Sequence, residues 1–205
     1  MRFDGKVALV SGAGSGIGRA TALGFAARGA RVGVADIDGA RADAVAQEIT
    51  KAGGTALAVA ADAAAPDGIE AMIAGIVKAF GGLDILHNNA FGQPTLPGGQ
   101  RRLAFLGDLD ERVWIHTIEL GLTGVFRAMK RAIPELLARG GGAIVNTASI
   151  SGLFADFAIG AYNTAKAGVV MFLASDLASY VTGAAVVADG GLTAQTGLPT
   201  RIPLP

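Results

Sequence analysis

Short apolar runs alternate with helix-like segments along most of this chain, and few folds satisfy that pattern. Residues 7–11 (VALVS) read as a buried strand, 17–28 as a helix, 31–36 as a second strand and 39–52 as a second helix. Residues 55–62 read as a third strand, 66–80 as a helix and 83–88 as a fourth strand. Strand and helix in strict alternation imply a parallel sheet with helices on both faces. The strands are rich in Val, Ala, Leu and Ile without polar alternation, as burial on both faces requires. The expectation is an α/β fold, a doubly wound parallel sheet, built as a single domain over residues 1–205.

Further along, residues 91–107 form a long connection with two prolines and several glycines, and such loops in compact domains are often functional. Residues 108–139 read as a long helical stretch interrupted near Pro134, and 142–149 as a fifth strand. A helical run to Tyr180, a last strand at 184–189 and a tail with three prolines complete the chain. At 205 residues and 51% hydrophobic content, one well-buried domain is affordable and two are not. A net charge of zero argues against nucleic acid or an anionic membrane as partner. The absence of cysteine excludes disulfides and thiolate chemistry. No basic, apolar leader precedes Lys6, and no apolar run approaches a membrane span, so a cytoplasmic location is expected.

Between the first strand and first helix lies Ser11-Gly-Ala-Gly-Ser-Gly-Ile-Gly18. Glycines let a backbone turn tightly and approach a pyrophosphate, and a following helix directs its free N–H groups at the phosphates. Gly12, Ser15, Gly16, Ile17 and Gly18 are therefore candidate cofactor contacts. No Gly-Lys-Ser/Thr ending is present, which argues against a P-loop; a methyltransferase has a similar first turn and stays open. Asp36 ends the second strand, where a carboxylate can accept from both ribose hydroxyls and repels a 2′-phosphate. Ser15 rather than a basic residue follows Gly14, and no base is expected beside Asp36, which favours NAD over NADP.

Ser149 is followed 13 positions later by Tyr162 and then, four further on, by Lys166. Residues four apart share one helix face. A phenol, an ammonium and a hydroxyl brought together can move protons to and from a carbonyl. A metal centre is not expected: His87 and His116 stand 29 residues apart without acidic partners at ligand spacing. His87 reads as a satisfied strand histidine, and Trp114 and Phe126 as core or subunit contacts.

These motifs together resemble the short-chain dehydrogenase/reductase family. The matching residues are Ser11-Gly12-x-x-x-Gly16-Ile-Gly18, Asp62, Asn88-Asn89-Ala90, Ser149, Tyr162-x-x-x-Lys166 and Ala184-Ala-Val-Val-Ala-Asp-Gly-Gly191, in order from residue 3 to about 192. The resemblance implies a Rossmann fold that binds NAD across the carboxyl ends of the strands. It implies that Asp62 bonds the adenine edge with the Ala63 N–H assisting, and that Asn89 and Ala90 line the adenosine ribose. Tyr162 would be the general acid/base of alcohol–ketone interconversion. A free phenol titrates near 10, and Lys166 would favour its anion while holding the nicotinamide ribose. Ser149 would hydrogen-bond the substrate oxygen. A small, mostly apolar substrate is expected, in a homotetramer or homodimer built on the 108–139 helices and the last strand.

Three positions depart from the family pattern. Phe91 stands where a glycine usually follows Asn-Asn-Ala. Gly121 stands where the family has a catalytic asparagine. After Val170 the expected strand, turn and lid are missing, and the apolar join at 169–173 looks like two spliced helices; roughly 50 residues are suspected to be absent between 170 and 171. Gly121 and the lost segment also leave room for a non-catalytic NAD(H)-binding sensor or scaffold. The residues that would select a substrate fall in 91–107, 150–159 and the absent lid.

Overall fold

The computed structural model describes residues 1–92, 105–153 and 159–173. The chain runs β1 (Val7–Ser11), α1 (Gly16–Ala26), β2 (Arg31–Asp36), α2 (Gly39–Lys51), β3 (Thr55–Ala60), α3 (Pro66–Phe80) and β4 (Ile85–Asn88). It continues through α4 (Glu111–Ile118), α5 (Gly124–Ala138), β5 (Ala143–Asn146) and α6 (Gly160–Leu173). The strands form one sheet in the order β3-β2-β1-β4-β5, and every described pairing is parallel. The doubly wound Rossmann arrangement expected from the strand–helix alternation is thus present. The last expected strand, 184–189, lies outside the described residues, as do 93–104, 154–158 and the tail.

The sheet carries a separate apolar core on each face. Val10, Val32 and Val34 point to one side and meet Ala42, Val45 and Ile49 of α2, with Ala22 of α1. Leu9 and Leu86 point to the other and meet Ile73 and Ile76 of α3 with Ala132 and Leu136 of α5. Each large aliphatic side chain so buried contributes about 1.5–3 kcal/mol. Gly33 sits where α3 approaches closest: a Cβ there would lie 2.6 Å from Ile76 Cδ1. Pro66 opens α3 at a position where its missing N–H costs nothing, and Gly81 closes it at φ 80°.

Several boundaries differ from the sequence reading, and three of the differences bear on the site. β3 stops at Ala60 and β5 at Asn146, so Asp62 and Ser149 lie in the loops just beyond their strands. The long helical stretch is interrupted at a π-helical turn, Glu119–Thr123, and not at Pro134, which α5 passes through. Pro134 lies on the solvent face, so the Lys130 carbonyl that its missing N–H leaves without a helix partner is open to solvent. The π turn is fixed from outside. Arg127 pairs with Glu119 at 2.6 Å and reaches the Ala64 carbonyl at 3.3 Å. Trp114 is half-buried, whereas Phe126 is largely exposed. No described helix is long and apolar enough to cross a membrane.

Candidate active site

Because the strands are parallel, every strand ends on the same rim, and the sequence-predicted residues gather there. Gly12 and Gly16 take φ of 64° and 51° to turn the chain out of β1. The turn packs without room for side chains: a Cβ on Gly12 would lie 2.7 Å from Ala90 Cα, and one on Gly14 would lie 2.8 Å from Asp36 Oδ2. Ser15 precedes α1 without capping it through its side chain, which leaves the first-turn N–H groups of Gly16, Ile17 and Gly18 to another acceptor. Ile17 stands out from the surface, 66% exposed. A close-packed glycine turn at an uncapped helix N-terminus suits the pyrophosphate of a dinucleotide.

Asn89 joins this turn to β4. Its Nδ2 donates to the Ser11 and Gly12 carbonyls, each at 3.3 Å, and its Oδ1 accepts from the Thr147 hydroxyl at 3.2 Å. Ser11 Oγ accepts from the backbone N–H of Asn89 and of Ala90 at 3.1 and 3.2 Å. The Asn89 amide therefore shapes the glycine turn, with Ala90 pressed against Gly12.

Asp36 is buried and already engaged, accepting from the Gly14 N–H at 2.8 Å and from the Asp38 N–H at 3.0 Å. The expectation that no base adjoins it is corrected. Arg41 comes in from α2, its Cβ 2.7 Å from the position a Gly14 Cβ would take. Its Nε donates to Asp38 Oδ2 at 2.7 Å. The Asp38 hydrogen bond, with Asp36 adding its charge, holds the guanidinium above its usual range. Sequence distance hid this neighbour, since one turn of α2 brings it back over β2. Asp62 accepts from the Ala64 N–H at 2.8 Å, a local turn that sets Ala63 on the rim.

On the other half of the rim, Ser149 caps a short 3-10 turn, accepting from the Ser151 N–H at 3.2 Å. Tyr162 and Lys166 lie one turn apart on α6, as their spacing predicts. Lys166 Nζ donates to the Thr147 carbonyl at 2.7 Å, tying α6 to the loop that carries Ser149. The lysine is only 4% exposed, and burial pushes its ammonium down from 10.5 to about 8. Phe91 closes over the pair; its ring lies 4.6 Å from that of Tyr162, centroid to centroid. His87, expected to be satisfied, is so only in part. Its Nε2 lies 2.9 Å from Thr147 Oγ1, while its buried Nδ1 finds no hydrogen-bond partner among the described residues. Since the Thr147 hydroxyl donates to Asn89, His87 is the donor to Thr147, and the bare nitrogen is an acceptor. Among the described residues no group of three His, Cys, Asp or Glu side chains could hold a metal ion.

The family model for short chain dehydrogenases matches residues 6–194. The chain is 42% identical over 168 residues to cyclohexanol dehydrogenase of Acinetobacter sp. (strain SE19), covering 82% of this chain and 64% of that one. It is 39% identical over 179 residues to cis-4-hydroxycyclohexanecarboxylate dehydrogenase of Sinomonas cyclohexanicum, covering 87% and 68%. Among solved structures it resembles a short chain dehydrogenase/reductase from Burkholderia phymatum in complex with NAD. That likeness has a TM-score of 0.78 at 30% identity, over 85% of this chain and 59% of the other. The chain thus spans about two thirds of the length of these relatives, or less.

Proposed function

The chain belongs to the short chain dehydrogenase family, and on that footing we propose that it is an NAD-dependent oxidoreductase interconverting a secondary alcohol and a ketone. The observation that supports this reading is a chain of hydrogen bonds from Lys166, one turn from Tyr162, through Thr147 and Asn89 to the Gly12 carbonyl, which ties α6 to the glycine turn. A bound nicotinamide dinucleotide supplies the hydride donor or acceptor. Gly12, Ser15, Gly16, Ile17 and Gly18 would hold its pyrophosphate, and Asp36, Asp62, Ala63, Asn89 and Ala90 its adenosine half. Tyr162 gives its proton to the carbonyl oxygen in reduction and takes the alcohol proton in oxidation. Lys166, anchored on the Thr147 carbonyl, stabilises the phenolate left behind and would hold the nicotinamide ribose. The Ser149 hydroxyl accepts a backbone N–H and so keeps its own proton for the substrate oxygen.

NAD is preferred to NADP because Asp36 presents negative charge to the ribose and Arg41 is committed to Asp38. The relatives named for cyclohexanol and a hydroxycyclohexanecarboxylate support a six-membered alicyclic alcohol as substrate class. Tyr162→Phe should bind NADH normally while kcat for cyclohexanol-type alcohols falls about 10²–10⁴-fold. Near-native turnover in that variant would remove Tyr162 from the chemistry. Native protein that binds NADH but oxidises none of an alicyclic panel would point instead to a sensor.

The exposed Ile115 of α4 and Phe126 of α5 support a homodimer or homotetramer through these helices, which light scattering would test. α6 runs straight through positions 170 and 171, and the relatives are longer. We read the chain as lacking a strand and lid after Val170. Peptide mapping of the protein isolated from its natural source decides this: a peptide that runs directly from Val170 into Met171 means the segment is absent, and one with residues between them means it exists.

A further inference from the structure

Phe91 and Gly121, the two substituted positions of the family pattern, lie 30 residues apart in sequence and meet against α6. A Cβ added to Gly121 would lie 3.6 Å from Phe91 Cε2 and 3.1 Å from Ala165 Cβ. Ala165 closes one direction, so a longer side chain at 121 would have to enter the place of the ring. On its other side the ring meets Tyr162 at an interplanar angle of 61°, an edge-on arrangement. Lys166 Nζ stands 5.4 Å from the Phe91 centroid and 5.8 Å from that of Tyr162. Gly121 belongs to the π turn, a helix irregularity common at functional sites.

Little else faces the ammonium. The Thr147 carbonyl accepts its one described hydrogen bond. On the π turn, Glu119 is held by Arg127 at 2.6 Å. On α4, His116 Nε2 lies 3.2 Å from the Gly92 carbonyl. On α6 itself Tyr162 is the titratable neighbour, and no described carboxylate pairs with Lys166.

We infer that Phe91 is a positioning residue for the Tyr162–Lys166 pair: its ring shields the ammonium from water and holds the Tyr162 ring edge-on, in a seat that a side chain longer than a methyl at residue 121 would contest. The ring acts on the lysine in two opposed ways. Its π face attracts the cation, whereas its bulk removes water from it. Burial lowers the Lys166 ammonium to about 8, and the Phe91 ring, 5.4 Å away, is part of what buries it. Removing the ring therefore readmits water and lets the lysine titrate higher.

The role assigned to the pair rests on the proposed dehydrogenase chemistry, but the shielding can be read without turnover. Protein labelled with ¹³C-lysine is titrated by NMR, and Lys166→Met identifies the signal. Phe91→Ala should raise the Lys166 midpoint by about one unit or more toward 10.5. Phe91→Leu, which keeps apolar bulk, should restore most of the native value. Gly121→Asn, which leaves Phe91 in the chain but takes its seat, should move the midpoint upward as well. The double variant should match Phe91→Ala, not the sum of the two shifts. An unmoved midpoint in folded Phe91→Ala or Gly121→Asn, or additive shifts, would overturn the inference. If the native protein oxidises alcohols, the basic limb of its kcat profile should follow the NMR midpoint from variant to variant. If it oxidises none, the acid/base reading fails while the titration still decides whether Phe91 shields the lysine.

Discussion

Gly18 shows how little latitude single positions have in this turn. A Cβ there would run into the Gly12 carbonyl and lie 2.6 Å from Asn89 Nδ2. Gly18→Ala must therefore open the turn that α1 and Asn89 hold shut. We expect a loss of about 1–3 kcal/mol in urea denaturation and weaker NADH binding by at least about tenfold. Unchanged NADH affinity would mean that the turn does not contact the cofactor. Lys166 makes a second residue-level prediction. It titrates near 8 when folded and near 10.5 when free, so between those values the unfolded chain holds more protons. Stability then rises with pH across that window, and below about 8 the whole cost of burying the charge is present. Lys166→Met removes the term. The gap between the variant's urea midpoint and that of the native chain should change steadily from pH 8 to 10.5, and a flat gap would refute the burial of a charged amine.

Among elements, the ends of β1 and β4 are joined through one hydroxyl. Ser11 Oγ donates to the His87 carbonyl at 3.3 Å while accepting from Asn89 and Ala90. Ser11→Ala strands two backbone N–H groups on the rim, which should cost about 2–4 kcal/mol in thermal or urea unfolding. A smaller loss than 1 kcal/mol would show that water replaces the hydroxyl. This local order explains what could be read from sequence. The strand–helix alternation, the glycine turn and the one-turn spacing of Tyr162 and Lys166 are short-range patterns, and the fold keeps them. Read from sequence, both strands run too far: Asp62 follows an apolar run without a break, and before Ser149 only the short polar pair Asn146-Thr147 marks the strand's end. The π turn left no such trace. Pro134 is the visible breaker, yet the irregularity sits where Arg127 binds both Glu119 and the loop after β3. Arg41 beside Asp36, and Phe91 over Gly121, are likewise neighbours made only by tertiary packing.

At the scale of the molecule, the opposite rim is held by a buried carboxylate. Asp84 accepts from the Val7 N–H at 2.9 Å, from Lys6 at 3.1 Å and from Arg139 at 3.1 Å. Burial alone would raise its carboxyl, but the Val7, Arg139 and Lys6 hydrogen bonds hold it below the usual range. Its main chain continues the bracing, accepting from Ala143 N–H and donating to the Val7 carbonyl, so β1, β4 and β5 meet at one residue. Asp84→Asn keeps the shape but leaves two cations without their anion. It should cost about 3 kcal/mol in urea denaturation, with NADH affinity unchanged at 10 °C. A strand of five residues separates this brace from the glycine turn by roughly 17 Å. Effects at such separation add. Asp84→Asn and Tyr162→Phe combined should therefore show the stability of the first and the turnover of the second. Durability and chemistry would then be separately heritable traits in this chain, and a lineage could retune one for heat or cold without renegotiating the other.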